Sequence, residues 1–437
     1  MLIGVKNEQQ LAEHLKQKEQ LNQSYGAIVR RQFRKNRMAV WSLRLLYVLL
    51  FIALSADFIA NERPLYCKLD GKTYFPVLRQ YLVDVGLAEW ESQFFQKSWH
   101  EHNYERVVWP LIPYSPQTID RKNINYVGPG ESQRVRSTWF RHWLGTDQLG
   151  RDVAAGMISG TRIAMLVGVI SMSVATLIGV LLGALAGYFG DDRFKISRIR
   201  LILNILALFL GFFYGFSVRS YALNEGHFGW ELTKSLGIIV LALFLANLLA
   251  RVLHRYPAFA KKIVIPMDLI IMRIIEVFNS IPALLLLLSI VAIIDTSSIL
   301  LVMAIIGLIR WTSIARFIRA ELLRIRSLEY IEAAQALGFS EVRILFRHAI
   351  PNALTPVLIA IAFGIASAIL LESFLSFLSI GVPPDEVTWG KLLNLARIHP
   401  SAWWLAVFPG LAIFATVTIF NLIGEGLTDA LDPRLKE

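Results

Sequence analysis

Two histidines two residues apart, His100 and His102 in Trp-His-Glu-His-Asn-Tyr-Glu (99–105), place imidazoles beside the carboxylates of Glu101 and Glu105. These are zinc-type donors, but no third ligand stands at helical or other fixed spacing, so a solvated loop is the preferred reading and no metal is expected. Cys67 is the only cysteine, which excludes an internal disulfide and a cysteine-based metal site. No GxxxxGK[ST] occurs, so the chain lacks the loop that cradles nucleotide phosphates. No Ser/His/Asp or paired-carboxylate arrangement is readable either. No catalytic residue and no cofactor are assigned to this chain.

What remains is charge set in or beside apolar sequence. Glu372 lies in a long apolar run, with Ser373 and Ser376 as polar neighbours and no cation close in sequence. A carboxylate inside a membrane span is costly and usually faces a cavity or a partner. Glu372, Ser373 and Ser376 are therefore the candidate wall of a transport pathway. Arg273 and Glu276 are three apart and can pair on one helical face. Gly145-Thr146-Asp147 and Gly150-Arg151-Asp152 precede another apolar run. Local pairing and charge at a helix start account for them; an outer gate or a seat for a second protein is the functional alternative.

The most informative stretch is polar: RAELLRIRSLEYIEAAQALGFSEVRILFRHAIPN (319–352). It is too charged to span a membrane and too rich in helix formers for a plain loop. Gly338 is placed to end one helix in a left-handed conformation. Ser340 can N-cap a second, over about 340–348. Pro351 then sits harmlessly in the first turn of the next helix. Two short helices joined at a glycine make a compact knob, with small alanines beside the turn to enter a partner's groove. An amphipathic loop bound by its arginines to anionic lipid is the alternative.

The elements that position these residues follow from composition. The chain has 437 residues, 55% of them hydrophobic and 18% charged, with a mean hydropathy of +0.51. That excess of apolar residues excludes an ordinary soluble domain. A span needs about 20 mostly apolar residues, and eight candidates occur: 38–60, 163–189, 201–218, 236–253, 274–294 interrupted by Pro282, 298–318, 353–375 and 402–423. The net charge of +11 comes from Lys and Arg in short connections. Those cations follow the second, fourth and sixth spans and precede the first, while Asp295-Thr296-Ser297 carries none, which puts both termini in the cytoplasm. No basic face is interleaved with stacking aromatics, so nucleic acid is not an expected partner. No apolar run occurs before about residue 38, unlike a cleaved signal peptide. The reading is an all-α polytopic membrane protein: a tail over 1–37, an anchor helix over 38–60, an extracytoplasmic segment over 61–160 that packs on the outer mouth, and a helical core over 161–437. Neither an internal repeat nor paired broken helices of the secondary-transporter kind are seen.

The polar loop resembles the EAA loop of ABC importer permeases. Glu332-Ala333-Ala334, Gly338 four residues on, and Pro351 stand at that family's spacing, and Arg347-His348 before Pro351-Asn352 resembles its dipeptide and oligopeptide branch. RRQFRKNRMAVWSLRLLYVLL from Arg30, the GTDxxGRD of 145–152 with Gly160-Thr161-Arg162, FLSFLSIGVPP (374–384) and GEGLTDALDPRL (424–435) resemble further blocks of the same branch. The outer stretch 59–76 is similar to the subgroup associated with microcin C uptake. The resemblance covers about 30–60, 141–190 and 267–435. It implies an inner-membrane permease whose loop, with Tyr330, Glu332, Ala333, Ala334, Gly338 and Pro351, docks ATPase subunits. It implies a second homologous permease, two ATPases that use ATP and magnesium, an extracytoplasmic peptide-binding protein, a peptide substrate and surrounding membrane lipid. Residues 191–266, holding two extra spans, depart from the family pattern, and an even number of spans restores the topology. A secondary transporter or channel that works without ATPases, and a scaffold that carries no substrate, are the rival classes.

Overall fold

The computed structural model describes residues 25–225, 228–254, 256, 261–294 and 298–431. Residues 1–24 of the tail, Asp295–Ser297 and the last six residues lie outside these. In chain order the principal helices are α1 (Tyr25–Phe33), α2 (Arg37–Leu54), α3 (Val153–Ala184), α4 (Arg198–Phe212), α5 (Phe228–Leu253), α6 (Met267–Ser280), α7 (Ala283–Ile294), α8 (Ile299–Ile325), α9 (Glu329–Ala336), α10 (Glu341–Ile344), α11 (Ile350–Phe377), α12 (Trp389–Ile398) and α13 (Trp404–Leu431). Among the described residues five short strands accompany them: β1 (Tyr66–Leu69), β2 (Lys72–Tyr74), β3 (Arg106–Val108), β4 (Lys195–Ser197) and β5 (Lys262–Val264).

Among the described residues, seven helices are long and apolar enough to cross a membrane, and α6 with α7 makes an eighth if that pair is one span. The pair bends by 84° where Pro282 interrupts the run. Proline has no N–H and pushes the residue before it out of helical geometry. The carbonyl of Pro282 starts the next helix by accepting from the Leu286 N–H at 3.1 Å. The fifth span is thus a broken element, where the sequence suggested only an interruption.

The chain forms two compact units. The first comprises Met1–Val180, Phe278–Ile318 and Ile350–Glu437. One of its cores joins Ile163 and Val167 of α3, Leu287 of α7, Met303 and Ile306 of α8 and Leu375 of α11. A second joins Ala53 of α2, Ala164 and Met165 of α3, Ile369 of α11, Trp389 of α12 and Phe420 of α13. The segment after α2 adds a small antiparallel sheet, β2-β1-β3, which an all-helical reading of the spans does not include. Cys67, Leu69, Tyr74 and Phe94 are buried beneath it, with Trp90 and Trp99 packed on them. That segment is tied to the helices: Tyr81 donates to Asp57, whose carboxylate also holds Arg162 of α3 at 2.8 Å.

The second unit comprises Leu181–Val277 and Arg319–Ala349. Here α4 and α5 form a hairpin closed at its base by the antiparallel pair β4–β5, with Lys195 opposite Val264 and Ser197 opposite Lys262. Close approach comes from small residues, as expected where apolar packing cannot drive association in lipid. A side chain at Gly211 would meet the Ile239 backbone at 3.0 Å. Between the helices, Asn247 Nδ2 donates to Asn204 Oδ1 at 2.9 Å. The remaining faces are apolar and exposed, Phe209, Phe212 and Val240 among them.

Candidate functional site

The polar loop folds into the helix–glycine–helix knob read from its spacing. Glu329 and Glu332 lie in the first turn of α9, where carboxylates meet the positive end of the helix dipole. At its far end the Phe339 N–H reaches the Ala334 carbonyl at 3.2 Å and the Gly338 N–H reaches Gln335 at 2.9 Å. This Schellman pair requires a left-handed residue between the helices, and Gly338 has φ +78°. Ser340 then caps α10, accepting from the Arg343 N–H at 3.4 Å. That second helix is shorter than expected, four residues followed by a wide π-type turn over Leu345–Ala349. Such a turn suits the approach to Pro351, whose ring displaces the carbonyl four residues before it.

The alanines divide. Ala333 is exposed, but Ala334 is buried with Ile331, Ile344 and Leu345. The expectation that both alanines face a partner is corrected: Ala334 is small because the knob's own interior needs it so. The outward relief is instead large and apolar, made of Tyr330, Leu337, Phe339, Val342 and Phe346. Leu337 is 74% exposed at the tip beside Gly338. Glu332 and Pro351 are exposed as well. The knob's base is fastened by an Arg319–Asp268 fork, Nη2 to Oδ2 at 2.6 Å, and by Tyr188, whose hydroxyl donates to Glu341 at 2.5 Å. Neither contact was foreseen, since the partners are 51 and 153 positions apart.

The Gly145–Asp152 motif builds a knot at the head of α3. Asp147 accepts from the backbone N–H of Leu149 and Arg151, both at 2.9 Å, and from Arg151 Nε at 2.7 Å. Thr146 donates to the Asn123 carbonyl at 2.9 Å. Gly145 and Gly150 take φ +81° and +84°. A Cβ on Gly150 would come within 2.3 Å of the Asp120 carbonyl oxygen, so the position is closed to other residues on both counts. Asp152 caps α3 through the Ala155 N–H at 2.7 Å and holds His142 Nδ1 at 2.7 Å. His142 is fully buried, and its Nε2 faces Asp120 at 3.3 Å. Burial alone would lower its pKa, but Asp120 and Asp152 override that and push it up to about 9. Burial opposes the ionised form of Asp120 too, yet His142, Asn123 and the Lys122 N–H bring its carboxyl down to about 2. Sequence reading missed His142, whose partners lie 10 and 22 positions away.

Elsewhere, Arg273 and Glu276 pair at 2.6 Å on an exposed face, as their spacing suggested. His100 Nε2 is engaged with the Pro113 carbonyl at 2.8 Å. Glu372 departs from its expectation of a solitary carboxylate facing water. It is 2% exposed, Ser376 of the same helix donates to it at 2.5 Å, and Ser373 at 3.4 Å. Thr388, the N-cap of α12, faces it too. Ser373 and Ser376 are likewise buried. In this fold all three residues join α11 to α12. Glu372→Ala is expected to lower the yield of folded protein, with three hydroxyls left unpaired at about 1 kcal/mol or more each. Glu372→Gln should restore it with an unchanged uptake rate per folded molecule. A changed rate in a well-folded Gln variant would return Glu372 to the pathway.

Comparison with known proteins matches residues 258–437, which include the knob, to the binding-protein-dependent transport system inner membrane component family. Residues 24–73 match the N-terminal transmembrane domain of oligopeptide transport permease C. The peptidoglycan transport system permease protein YejE of Agrobacterium fabrum is 28% identical over 92% of this chain and 91% of its own length. The inner membrane ABC transporter permease protein YejE of Escherichia coli is 29% identical over 92% and 95%. The glutathione transport system permease protein GsiD of Pectobacterium atrosepticum is 32% identical over 75% and 81%. A multi-span helical architecture, a polar loop with the EAA spacing and relatives matched over most of their length agree: the chain belongs to the binding-protein-dependent transport system inner membrane components, the permease subunits of ABC importers.

Proposed function

We propose that this permease subunit carries peptides, and that ATPase subunits drive it through the knob at 329–349. The observation that carries the reading is the exposed apolar face of Tyr330, Leu337, Phe339 and Val342, held by a left-handed Gly338 on a fastened base. Apolar side chains of that size are costly to leave in water, and a well-packed groove on a partner would cover them. A second permease subunit completes the pathway, two ATPases bind and hydrolyse ATP with magnesium, and an extracytoplasmic binding protein delivers the peptide. The chain itself holds no cofactor. Relatives named for glutathione, dipeptide and peptidoglycan transport support a peptidic substrate. The alternation of basic connections supports both termini in the cytoplasm. Closure of the ATPases would reach the spans as rigid-body movement of the knob.

The test is reconstitution of the complete complex with a labelled dipeptide and its binding protein. Uptake should require ATP, and the ATPases should co-purify. Uptake by this chain alone, without ATP, would make it a secondary transporter and sink the proposal.

A further inference from the structure

A cavity of about 530 Å³ opens at the foot of the α4/α5 hairpin, on no element of the knob. Its rim carries Lys195, Arg200, Arg251, His254 and Lys262, brought together because β4 and β5 pair across the base. All five are exposed. Residues 193–211 and 236–266 contain no Asp or Glu; of the acids just outside them, Asp192 stands free of any described ion pair, Asp191 accepts from the Leu269 N–H and Asp268 pairs with Arg319. Among the described residues none of the four Lys and Arg side chains pairs with a carboxylate. Arg200 is oriented by its Nε, which donates to Asn247 Oδ1 at 2.5 Å, and no further described bond fixes its Nη groups. The opposite end of the hairpin is built differently: Arg219 and Lys234 both pair with Glu231.

Uncompensated cations around a concavity of this size suit an anion, and guanidinium with ammonium suits phosphate oxygens in particular. The other wall decides its source. Phe244 and Leu248 line the cavity, 63% and 48% exposed, and Leu241 and Leu245 continue the same exposed apolar helix surface. A free phosphate has no use for that wall, whereas the acyl chains of a phospholipid would lie along it. We propose that the foot of the α4/α5 hairpin is a binding site for an anionic phospholipid, its phosphodiester held by Lys195, Arg200, Arg251 and Lys262 and its chains against Phe244 and Leu248. Basic pockets between membrane helices take such headgroups.

The test uses the full chain, delipidated and offered dioleoylphosphatidylglycerol or dioleoylphosphatidylcholine, with bound lipid counted by native mass spectrometry. The wild type should retain phosphatidylglycerol in preference. Arg251→Gln with Lys262→Gln, which spares the Arg200–Asn247 bond, should lower that retention by on the order of tenfold. Lys72→Gln with Lys122→Gln, in the outer segment, should leave it unchanged. Equal retention by the Arg251/Lys262 variant overturns the proposal. So does displacement of the lipid by excess inorganic phosphate that binds equally well without acyl chains, which would mark a soluble-anion site. If the Gln pair fails to insert, the charge-conserving Arg251→Lys with Lys262→Arg decides: it must retain phosphatidylglycerol preferentially, and loss of the preference overturns the assignment.

Discussion

Gly338→Val is expected to cut ATP-dependent uptake at least tenfold and to abolish ATPase co-purification, while the chain still reaches the membrane. Gly338 holds φ +78°, which a β-branched residue adopts only at a cost of roughly 1–2 kcal/mol. A Cβ there meets nothing within 4 Å, so the subunit's own packing tolerates it. The added bulk would stand beside Leu337 at the tip, on the face assigned to the ATPase. Strain of that size relaxes through the turn and rotates α9 against α10. A docked surface transmits motion only while it stays packed. Glu332→Ala should be milder, within about fivefold, because an exposed charge contributes about 1 kcal/mol or less. Gly338→Val retaining both activities would remove the knob as the point where ATP energy enters, and with it the main support of the proposed function.

The second large effect concerns His142. His142→Leu removes the imidazolium from between Asp120 and Asp152, and stripping one partner from a buried charge network costs roughly 3–5 kcal/mol. The segment after α2 should loosen, seen as faster proteolysis of residues 61–152 and a lower melting temperature by tryptophan fluorescence. Adding Asp120→Asn should recover part of the loss. The pH dependence has a defined sign. A histidine whose pKa is raised in the fold stabilises fully below its ordinary value of about 6.5 and loses that contribution as pH rises through about 9. Asp120, brought down to about 2, contributes above its ordinary value of about 3.9 and loses that as pH falls through about 2. Stability of the segment after α2 should therefore be flat from about pH 4 to 6.5 and fall through about 9. The alkaline fall should be missing in His142→Leu; its persistence there would show that another group controls it.

What the sequence made legible is what its local spacing encodes. Gly338 before Ser340 gives a turn and a cap, Arg273 and Glu276 pair within one helical turn, and Asp147 reaches Arg151 four positions on. Long apolar runs locate the spans for the same reason, since a bilayer reads length and composition directly. What stayed hidden depends on pairing across the chain. Nothing near His142 announces Asp120, nothing near Arg319 announces Asp268, and β1 finds β3 some 40 positions later. The inward turn of Ala334 was also illegible, because small residues serve a crowded interior and an accessible groove equally well. Glu372 misled for a related reason: its hydroxyl partners include Thr388, on an element that only tertiary packing brings to it. Pro282 was readable as a break, but nothing in the local sequence gives the 84° angle.

The β4–β5 ladder has a consequence for how this subunit could have been assembled. Paired strands lie about 4.8 Å apart, so the chain leaves for the α4/α5 excursion and returns from it through a doorway one strand spacing wide. To the helices on either side, some seventy residues occupy little more than a tight turn. A detour with its own clasp, its own asparagine latch and an even number of crossings can be spliced in or lengthened without shifting the register of anything downstream. Met267 can therefore begin α6 a few residues past β5 whatever the length of the hairpin.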